Sequence, residues 1–339
     1  MPEERYPEAG LLRQDSLLTD LYKNVQKDLG DVEGELRQIG KSSNALINEI
    51  NSYLFQKPGK RIRPALLILC SKLCDYQGKA HIFWSAVIEL IHTASLIHDD
   101  IVDNSNLRRG KDTVHSRWGP NITVLLGDYL YIKSIAISLE TKNNPVIDLL
   151  SEISTRMIEG ELIEYSMSGN LDIAESQYFD ILEKKTASLF AASCQIGGLL
   201  GNASAEDVRV LHDFGANLGM SFQIIDDLLD FSGDEETLGK PVLSDLNEGR
   251  ITLPLIYTFR HGGKIAQKHL PALLKDRRTH PASQEEILKI VKSNGALDYT
   301  FQKAVEFTRK SKDVISLFPK SAYQESLLLM ADFILNRKK

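Results

Sequence analysis

The chain contains 339 residues, of which 42% are hydrophobic, and it carries a formal net charge of -6 at pH 7. This length and composition supply enough apolar side chains for a substantial globular core. The acidic balance argues against a nucleic-acid-binding surface, although local basic clusters can still bind anions.

The three cysteines, at positions 70, 74 and 194, leave one thiol unpaired in any disulfide scheme, which favours a reducing compartment. The first residues are acidic and lack the basic start and apolar run of a secretory signal. Because the most hydrophobic stretches carry carboxylates, a membrane-spanning helix is not expected. We therefore expect a cytoplasmic protein that makes at most peripheral contact with a membrane.

Helical periodicity dominates the chain. Apolar residues recur at spacings of three and four between residues 17 and 39, and Ser43 or Asn44 is expected to cap a second helix that ends at Leu54. We find no convincing strand alternation and no linker that divides the chain. The pattern predicts a single all-α domain over residues 1–339, with residues 1–13 mobile. Further helices are expected at residues 65–73, 80–103, 122–140, 145–167, 174–200, 205–231, 253–259, 285–292, 297–312 and 323–334.

The helix predicted over residues 80–103 ends in three carboxylates, those of Asp99, Asp100 and Asp103. Asp99 and Asp103 share one helix face, where two like charges cost an isolated helix about 0.2–0.5 kcal/mol unless a cation lies between them. An acidic helix end is by itself most often a solvated or capped terminus. A metal site therefore needs support from a second feature.

A second apolar helix repeats the pattern, with Asp226 and Asp230 four residues apart and Asp227 beside the first of them. Carboxylate oxygens favour a hard ion such as magnesium over zinc. Two such clusters facing one another would hold several ions, so the repetition predicts a magnesium site.

Basic residues lie close in sequence to both acidic clusters. Residues 60–64 form a basic loop before a predicted helix, which suits either an anion or a solvated turn. Arg108 and Arg109 follow the first cluster and Lys240 follows the second, and arginine forks match phosphate oxygens. The chain has no Gly-x-x-x-x-Gly-Lys-Ser/Thr loop and no kinase signature set. A diphosphate is therefore expected to be the leaving group and not the group that is donated.

These motifs together resemble the trans-polyprenyl diphosphate synthases, over roughly residues 20 to 337. The resemblance rests on the segments Gly59-Lys-Arg-Ile-Arg-Pro64, His98-Asp-Asp-Ile-Val-Asp103 with Arg108-Arg109-Gly110, Lys185-Thr186, Gln223-Ile-Ile-Asp-Asp-Leu-Leu-Asp230, Gly239-Lys240-Pro241 and Asp245-Leu-Asn-Glu-Gly249. It implies an isoprenoid synthase helical bundle around a deep central cavity, assembled as a homodimer. The implied reaction is ionisation of an allylic diphosphate (farnesyl or geranylgeranyl), attack by the double bond of isopentenyl diphosphate, and loss of a proton.

The resemblance also implies a role for each matching residue. About two or three magnesium ions would be held by Asp99, Asp103 and Asp226, with Asp100, Asp227 and Asp230 acting directly or through water. The allylic diphosphate would be bound by Arg108, Lys185 and Lys240, and isopentenyl diphosphate by Lys60, Arg63, His92 and Arg109. The oxygens of Thr186 and Gln223 would steady the carbocation. His98 matches no such role and is interpreted as structural.

In this family, a large aromatic residue four or five positions before the first aspartate closes the product tunnel. Those positions here are Ser95 and Ala94, so the resemblance favours a medium- or long-chain product, from hexaprenyl to decaprenyl. Candidates for the residues that limit chain length are Ala94, Ser95, Ile91 and Ile88, with Tyr131, Ile132 and Ile135 on the next helix.

Three other interpretations remain open or are disfavoured. A short-chain geranylgeranyl or farnesyl diphosphate synthase is the main enzymatic alternative. A terpene cyclase of the same fold would usually carry only one aspartate-rich motif. A non-catalytic subunit of a heteromeric synthase would typically lack one motif, whereas both are complete here. Chain elongation by the purified protein alone separates the enzyme from the subunit.

Overall fold

The computed structural model describes residues 18–56, 59–108, 110–232, 243–276 and 281–337. Within these ranges the chain is helical almost throughout, as predicted. The expectation that residues 1–13 are mobile concerns residues outside the described ranges. The helices are α1 (Gln26–Ile39), α2 (Ala45–Leu54), α3 (Ile62–Leu73), α4 (Ala80–Val102), α5 (Val114–Trp118), α6 (Pro120–Glu140), α7 (Asn144–Ser166), α8 (Glu175–Leu182), α9 (Ser188–Leu200), α10 (Ala205–Ser232), α11 (Ser244–Glu248), α12 (Leu253–His261), α13 (Gly263–Asp276), α14 (Pro281–Ser293), α15 (Ala296–Ile315) and α16 (Ala322–Leu335).

The local signals in the sequence are largely confirmed. The side chain of Asn44 caps α2 by accepting hydrogen bonds from the backbone N–H groups of Leu46 and Ile47, at 2.9 and 3.4 Å. The helix expected over residues 17–39 is interrupted by a turn at residues 23–25. Strands β1 (Leu107–Arg108) and β2 (Lys111–Asp112) form a short antiparallel ribbon after α4. Strands of two residues are too short to show the alternation that would predict them.

The centre of the bundle is formed by helices that are apolar on more than one face, as their sequences predict. All residues of α3 from Ile62 to Ser71 are buried, and α9 is buried along most of its length. A side chain at Gly197 of α9 would place its Cβ 2.6 Å from the Cβ of Cys70 in α3. Glycine at this position therefore allows α3 and α9 to cross closely. On its other sides α9 packs against α10 and α4, the two helices that carry the aspartate-rich motifs.

Within the described residues, α4 and α6 are long and apolar enough to cross a membrane by length and composition. This is weak evidence, because core helices of soluble proteins pass the same test. Helix α4 is mostly buried inside the bundle, whereas α6 is buried over only a third of its apolar window. The three cysteines are free thiols, and Cys70 and Cys194 lie in the core as small buried side chains.

Candidate active site

The first aspartate-rich motif lies at the carboxyl end of α4, and two of its three carboxylates contact an arginine. Asp100 accepts a hydrogen bond from Nε of Arg108 in β1, at 2.7 Å. Asp103 accepts one from Nη2 of Arg250, 147 residues later in the chain, at 2.6 Å. The short ribbon after α4 thus returns Arg108 to the motif, and the fold supplies Arg250 from a distant segment.

Burial raises the pKa of the Asp99 carboxyl from its ordinary value of 3.8 to about 7. The positive charge of Lys185 opposes this rise, while the carboxylates of Glu161 and Asp103 add to it. Burial likewise raises the pKa of Asp100, against the opposing charge of Arg108. The motif therefore holds more negative charge than its surroundings compensate, which favours binding of further cations.

The raised pKa of Asp99 makes the stability of the metal-free protein depend on pH. Because the pKa of Asp99 is higher in the folded state, its contribution to stability is present at low pH and is lost as the pH rises through about 7. Between pH 5 and pH 8, the wild-type protein should lose about 1–2 kcal/mol of stability relative to Asp99→Asn, after allowance for solvent screening. Urea unfolding in a metal chelator measures this difference. Parallel pH profiles for the two proteins would contradict it.

The second aspartate-rich motif lies near the carboxyl end of α10. Asp226, whose side chain is 45% exposed, accepts a hydrogen bond from Nη2 of Arg337 at 2.9 Å. Asp230 is fully buried. Its two carboxylate oxygens accept hydrogen bonds from the backbone N–H and hydroxyl of Ser244 and from the backbone N–H of Asp245, at 2.8–3.2 Å. These bonds cap α11 and occupy most of the acceptor positions of the Asp230 carboxylate.

Asp227 is buried and holds two donated hydrogen bonds. The hydroxyl of Tyr178 donates to its Oδ2 at 2.7 Å, and Nε2 of Gln223 donates to its Oδ1 at 2.9 Å. Burial and the nearby carboxylate of Asp245 raise the pKa of Asp227, while the two hydrogen bonds lower it. Asp227 therefore accepts hydrogen bonds from both side chains and fixes the orientation of the Tyr178 hydroxyl and the Gln223 amide.

Arg250 connects the two motifs. In addition to Asp103, it pairs with Glu248 and lies 3.6 Å from Asp245. Since the backbone N–H of Asp245 donates to Asp230, one guanidinium links the end of α4 to the end of α10 through α11. Arg250 and α11 thus join the ends of the two helices that carry the acidic motifs.

Lys185 lies in a π-helical turn, Glu183–Ala187, which joins α8 to α9. Its Nζ is 2.7 Å from Glu161 and 2.5 Å from Glu164, both on α7, and its charge acts on Asp99. A Cβ at Gly160 would lie 2.7 Å from the backbone N of Lys185, so glycine there lets α7 approach this turn. Single π-helical turns occur frequently at functional sites. Here the turn directs Lys185 towards the first motif.

Next to Lys185, the buried Thr186 donates a hydrogen bond from Oγ1 to Oε1 of Gln223 at 3.0 Å. The predicted pair Thr186 and Gln223 is therefore in direct contact, and Gln223 is bonded in turn to Asp227.

Two of the residues predicted to bind isopentenyl diphosphate, Arg63 at the start of α3 and His92 in α4, are in contact. Nη1 of Arg63 lies 3.0 Å from Nε2 of His92, and the guanidinium of Arg63 stacks on the ring of Phe190 at 4.5 Å. Because a guanidinium only donates, Nε2 of His92 accepts and the imidazole is neutral. Lys60 is exposed and lies over the ring of Phe333, 5.2 Å from its centroid.

Arg61, between Lys60 and Arg63, has a structural role that the sequence did not reveal. Its backbone is left-handed, with φ of 53°, and its side chain pairs with Glu33 and Glu89, each at 2.5 Å. These pairs fasten the loop to α1 and α4. Lys60 and Arg63 therefore flank a residue whose side chain is anchored by two ion pairs.

The residues predicted to limit product length differ in burial. Ala94, Ile91 and Ile88 are buried in α4, and the hydroxyl of Ser95 donates to the backbone carbonyl of His92 at 2.9 Å. Tyr131 packs against the same cores. The proposal of Ile132 as a tunnel-floor residue was wrong, because its side chain is 63% exposed on the outer face of α6. Ile135 is partly buried.

Two predicted anion-binding residues, Arg109 and Lys240, lie outside the described residues. His98, interpreted as structural, lies 3.3 Å from the carbonyl of Val124 and 3.4 Å from the carboxylate of Asp128. It packs where Gly127 leaves room between α4 and α6.

A family model for polyprenyl synthetases matches residues 44–291 of the chain. The chain belongs to the polyprenyl synthetase family. Membership confirms the expected enzyme class, a prenyltransferase, and the all-α isoprenoid synthase fold.

Relatives and solved structures of this family match nearly the whole chain. Octaprenyl diphosphate synthase of Escherichia coli K12 is 35% identical over 95% of this chain and 99% of its own length. Geranylgeranyl diphosphate synthase of Sulfolobus acidocaldarius is 36% identical over 86% of this chain and 91% of its own length. The crystal structure of polyprenyl synthase from Caulobacter crescentus CB15, complexed with calcium and isoprenyl diphosphate, matches with a TM-score of 0.91 and 31% identity, covering 98% and 100% of the two chains. These matches do not settle product length, because the relatives are named for products of different lengths.

The carboxylates of the two motifs of this polyprenyl synthetase fit a hard divalent cation, because their donor atoms are all oxygen and three of them, Asp100, Asp103 and Asp226, are paired with cationic side chains. Among the described residues, no three His, Cys, Asp or Glu side chains form a ready-made metal site. Arg108, Arg250 and Arg337 instead hold the carboxylates that ions would share.

Several residues of the site were not found from the sequence. Arg250 immediately follows the Asp245–Gly249 segment, which was the available signal for it. Glu161 and Glu164 stand three apart on α7, a spacing that places them on one helix face. Tyr178 and Arg337 carry no spacing signal, since they reach the site only through the tertiary fold.

Proposed function

We propose that the protein condenses an allylic diphosphate with successive molecules of isopentenyl diphosphate, head to tail, to an all-trans polyprenyl diphosphate. The observation that carries this proposal is the connection of both aspartate-rich motifs by Arg250 into one site, beside Lys185 and Arg108. Acidic groups for hard cations and basic groups for phosphates are what departure of a diphosphate requires.

Incubation of the purified chain with magnesium, farnesyl diphosphate and labelled isopentenyl diphosphate tests this function. Elongated products, separated by chromatography, support it. Absence of elongation would contradict it and would favour a non-catalytic subunit.

Different residues of the site are assigned to the magnesium ions, to each of the two diphosphates and to the allylic cation. Asp99, Asp103 and Asp226 would hold magnesium ions, which neutralise charge on the departing diphosphate. A divalent ion is supported by the calcium in the C. crescentus complex, and magnesium by the all-oxygen donor set. Arg108 and Lys185 bind the allylic diphosphate, together with Lys240.

Isopentenyl diphosphate is assigned to Lys60, Arg63, His92 and Arg109. Arg63 is desolvated against Phe190 and is held by His92, so little rotamer freedom is left to lose when it binds an anion. With Nε2 accepting from Arg63, the ring proton of His92 is carried on Nδ1. Oxygens of Thr186 and Gln223 then stabilise the allylic cation, and the departed diphosphate takes up the proton lost after condensation.

We further propose a medium- or long-chain product, because Ala94 and Ser95 are small. Ala94→Phe should shorten the product, since the added ring enters the core just beneath the first motif. The first condensation should continue, because the ring lies below the reacting carbons. Chromatography of dephosphorylated products measures the length. Unchanged length in an active Ala94→Phe variant would contradict this tunnel.

A short-chain geranylgeranyl diphosphate synthase is the second candidate, favoured by the 36% identity to the S. acidocaldarius enzyme. The wild-type incubation separates the candidates. Accumulation of a C20 product with isopentenyl diphosphate in excess would support the second candidate and overturn the first.

We propose that a second copy of the chain covers the outer face of α6 and α7. This face exposes large apolar side chains, namely Val124, Leu125, Ile132, Leu139, Ile158, Leu162 and Tyr165. Leu125, Ile132 and Leu139 stand seven residues apart and so share one face of α6, and a concentration of large exposed apolar side chains marks an interaction surface. Light scattering should give twice the chain mass, and Ile132→Glu should shift it towards the monomer. A monomeric wild-type protein that floats with lipid vesicles would overturn this assignment.

A further inference from the structure

A chain of directed hydrogen bonds runs through the interior between α8 and the π-helical turn. Tyr178 Oη donates to Asp227 Oδ2 at 2.7 Å, Gln223 Nε2 donates to Asp227 Oδ1 at 2.9 Å, and Thr186 Oγ1 donates to Gln223 Oε1 at 3.0 Å. Tyr178 and Asp227 are each only 3% exposed. Water therefore does not replace a missing partner here without rearrangement.

The direction of these bonds fixes the orientation of the Gln223 amide. An amide has a donor end and an acceptor end, and a carboxylate only accepts. The N–H₂ group of Gln223 therefore faces Asp227, and its carbonyl oxygen faces Thr186. Thr186 uses its hydroxyl hydrogen on that carbonyl. Both residues consequently keep oxygen lone pairs, and no remaining O–H of Thr186, for any further partner.

An allylic cation is stabilised by oxygen lone pairs and is destabilised by the positive end of an N–H dipole. We propose that Tyr178 is a positioning residue for the reaction: by holding Asp227, it keeps the side-chain carbonyl oxygen of Gln223 and the hydroxyl oxygen of Thr186 oriented to accept positive charge. This inference rests on the proposed function, in which Thr186 and Gln223 stabilise the cation.

Tyr178 is needed because the other charged groups described near Asp227 do not supply it with a hydrogen. Arg337, whose charge also acts on Asp227, donates instead to Asp226 and to the backbone carbonyl of Phe222. Asp226 and Asp245 both act electrostatically on Asp227, and neither offers a hydrogen when ionised. Without the phenol, Oδ2 of Asp227 loses its donor, and the carboxylate is free to turn and compete for the Gln223 amide. The geometry of the amide would then no longer be determined.

The test compares Tyr178→Phe with Tyr299→Phe. Tyr299 is a matched control, because its hydroxyl also donates to a carboxylate, that of Glu175, at 2.8 and 2.9 Å, and Glu175 belongs to neither aspartate-rich motif. Tyr178→Phe should lower kcat about tenfold and leave the KM of both diphosphates within about twofold, whereas Tyr299→Phe should leave kcat unchanged. Equal kcat values for the two variants would overturn the proposal.

A double-mutant cycle separates orientation of the Gln223 amide by Tyr178 from a general effect of Tyr178 on protein stability. In a Gln223→Leu background the further change Tyr178→Phe should have almost no effect on kcat, since no amide remains to orient. A full additional tenfold loss there would overturn the proposal, even if Tyr178→Phe lowers the melting temperature. If Gln223→Leu itself leaves kcat unchanged, the cation-stabilising role of Gln223 fails, and this outcome is distinct from failure of Tyr178 alone.

Discussion

Asp99→Asn is expected to lower kcat/KM for chain elongation by about 10²–10³-fold. Asparagine keeps the size of the side chain but removes the negative charge that a divalent cation requires. The neighbouring carboxylates do not compensate, because Asp100 is paired with Arg108 and Asp103 with Arg250. Steady-state incorporation of labelled isopentenyl diphosphate, measured over a range of magnesium concentrations, gives the value.

Asp313→Asn is the matched control, since Asp313 is a 63% exposed aspartate that pairs only with Arg309 on the surface of α15. It should retain wild-type activity. The loss in Asp99→Asn should be accompanied by a higher magnesium requirement. Activity within twofold of the control would contradict the assignment of Asp99 as a metal ligand.

Arg250→Leu should destabilise the metal-free protein by about 3 kcal/mol. The change removes the arginine that pairs with Asp103 and Glu248 and lies near Asp245, and so it takes a positive charge out of a largely buried acidic site. Urea unfolding in a chelator measures the effect. Magnesium should reduce it, because bound cations would neutralise part of the same charge.

Two variants make the Arg250 result specific. Arg250→Lys keeps the charge but loses the guanidinium fork, so its destabilisation should lie between wild type and Arg250→Leu. Arg309→Leu removes an exposed surface pair with Asp313 and should cost at most about 1 kcal/mol. If Arg250→Leu is no more destabilising than Arg309→Leu, the bridge between the motifs is not a significant stabilising contact.

The elements of the fold could be predicted because their signals are local. The apolar periodicity of α4 and α10 and the i, i+4 spacing of their aspartates are properties of short segments. The cap at Asn44 is equally local. The interruption at residues 23–25 and the two-residue strands were missed because such features are too short to produce a pattern in the sequence.

The parts of the site that could not be predicted depend on distant contacts. Arg250 reaches Asp103 across 147 residues, and Arg337 reaches Asp226 across 111. No spacing rule connects such pairs before the helices are packed. The burial of Ile132 could not be predicted from the sequence either. Its helix is apolar on several sides, so periodicity alone does not tell which side faces the core.

A crystal structure of the protein with magnesium and a non-hydrolysable allylic thiolodiphosphate tests most directly whether the two motifs together bind the departing diphosphate. We expect magnesium ions between the diphosphate and the carboxylates of Asp99 and Asp103 on one side and Asp226 on the other, with Arg250 displaced from Asp103 or sharing it. A diphosphate bound elsewhere, with both motifs still held by their arginines and free of ions, would contradict the proposed chemistry.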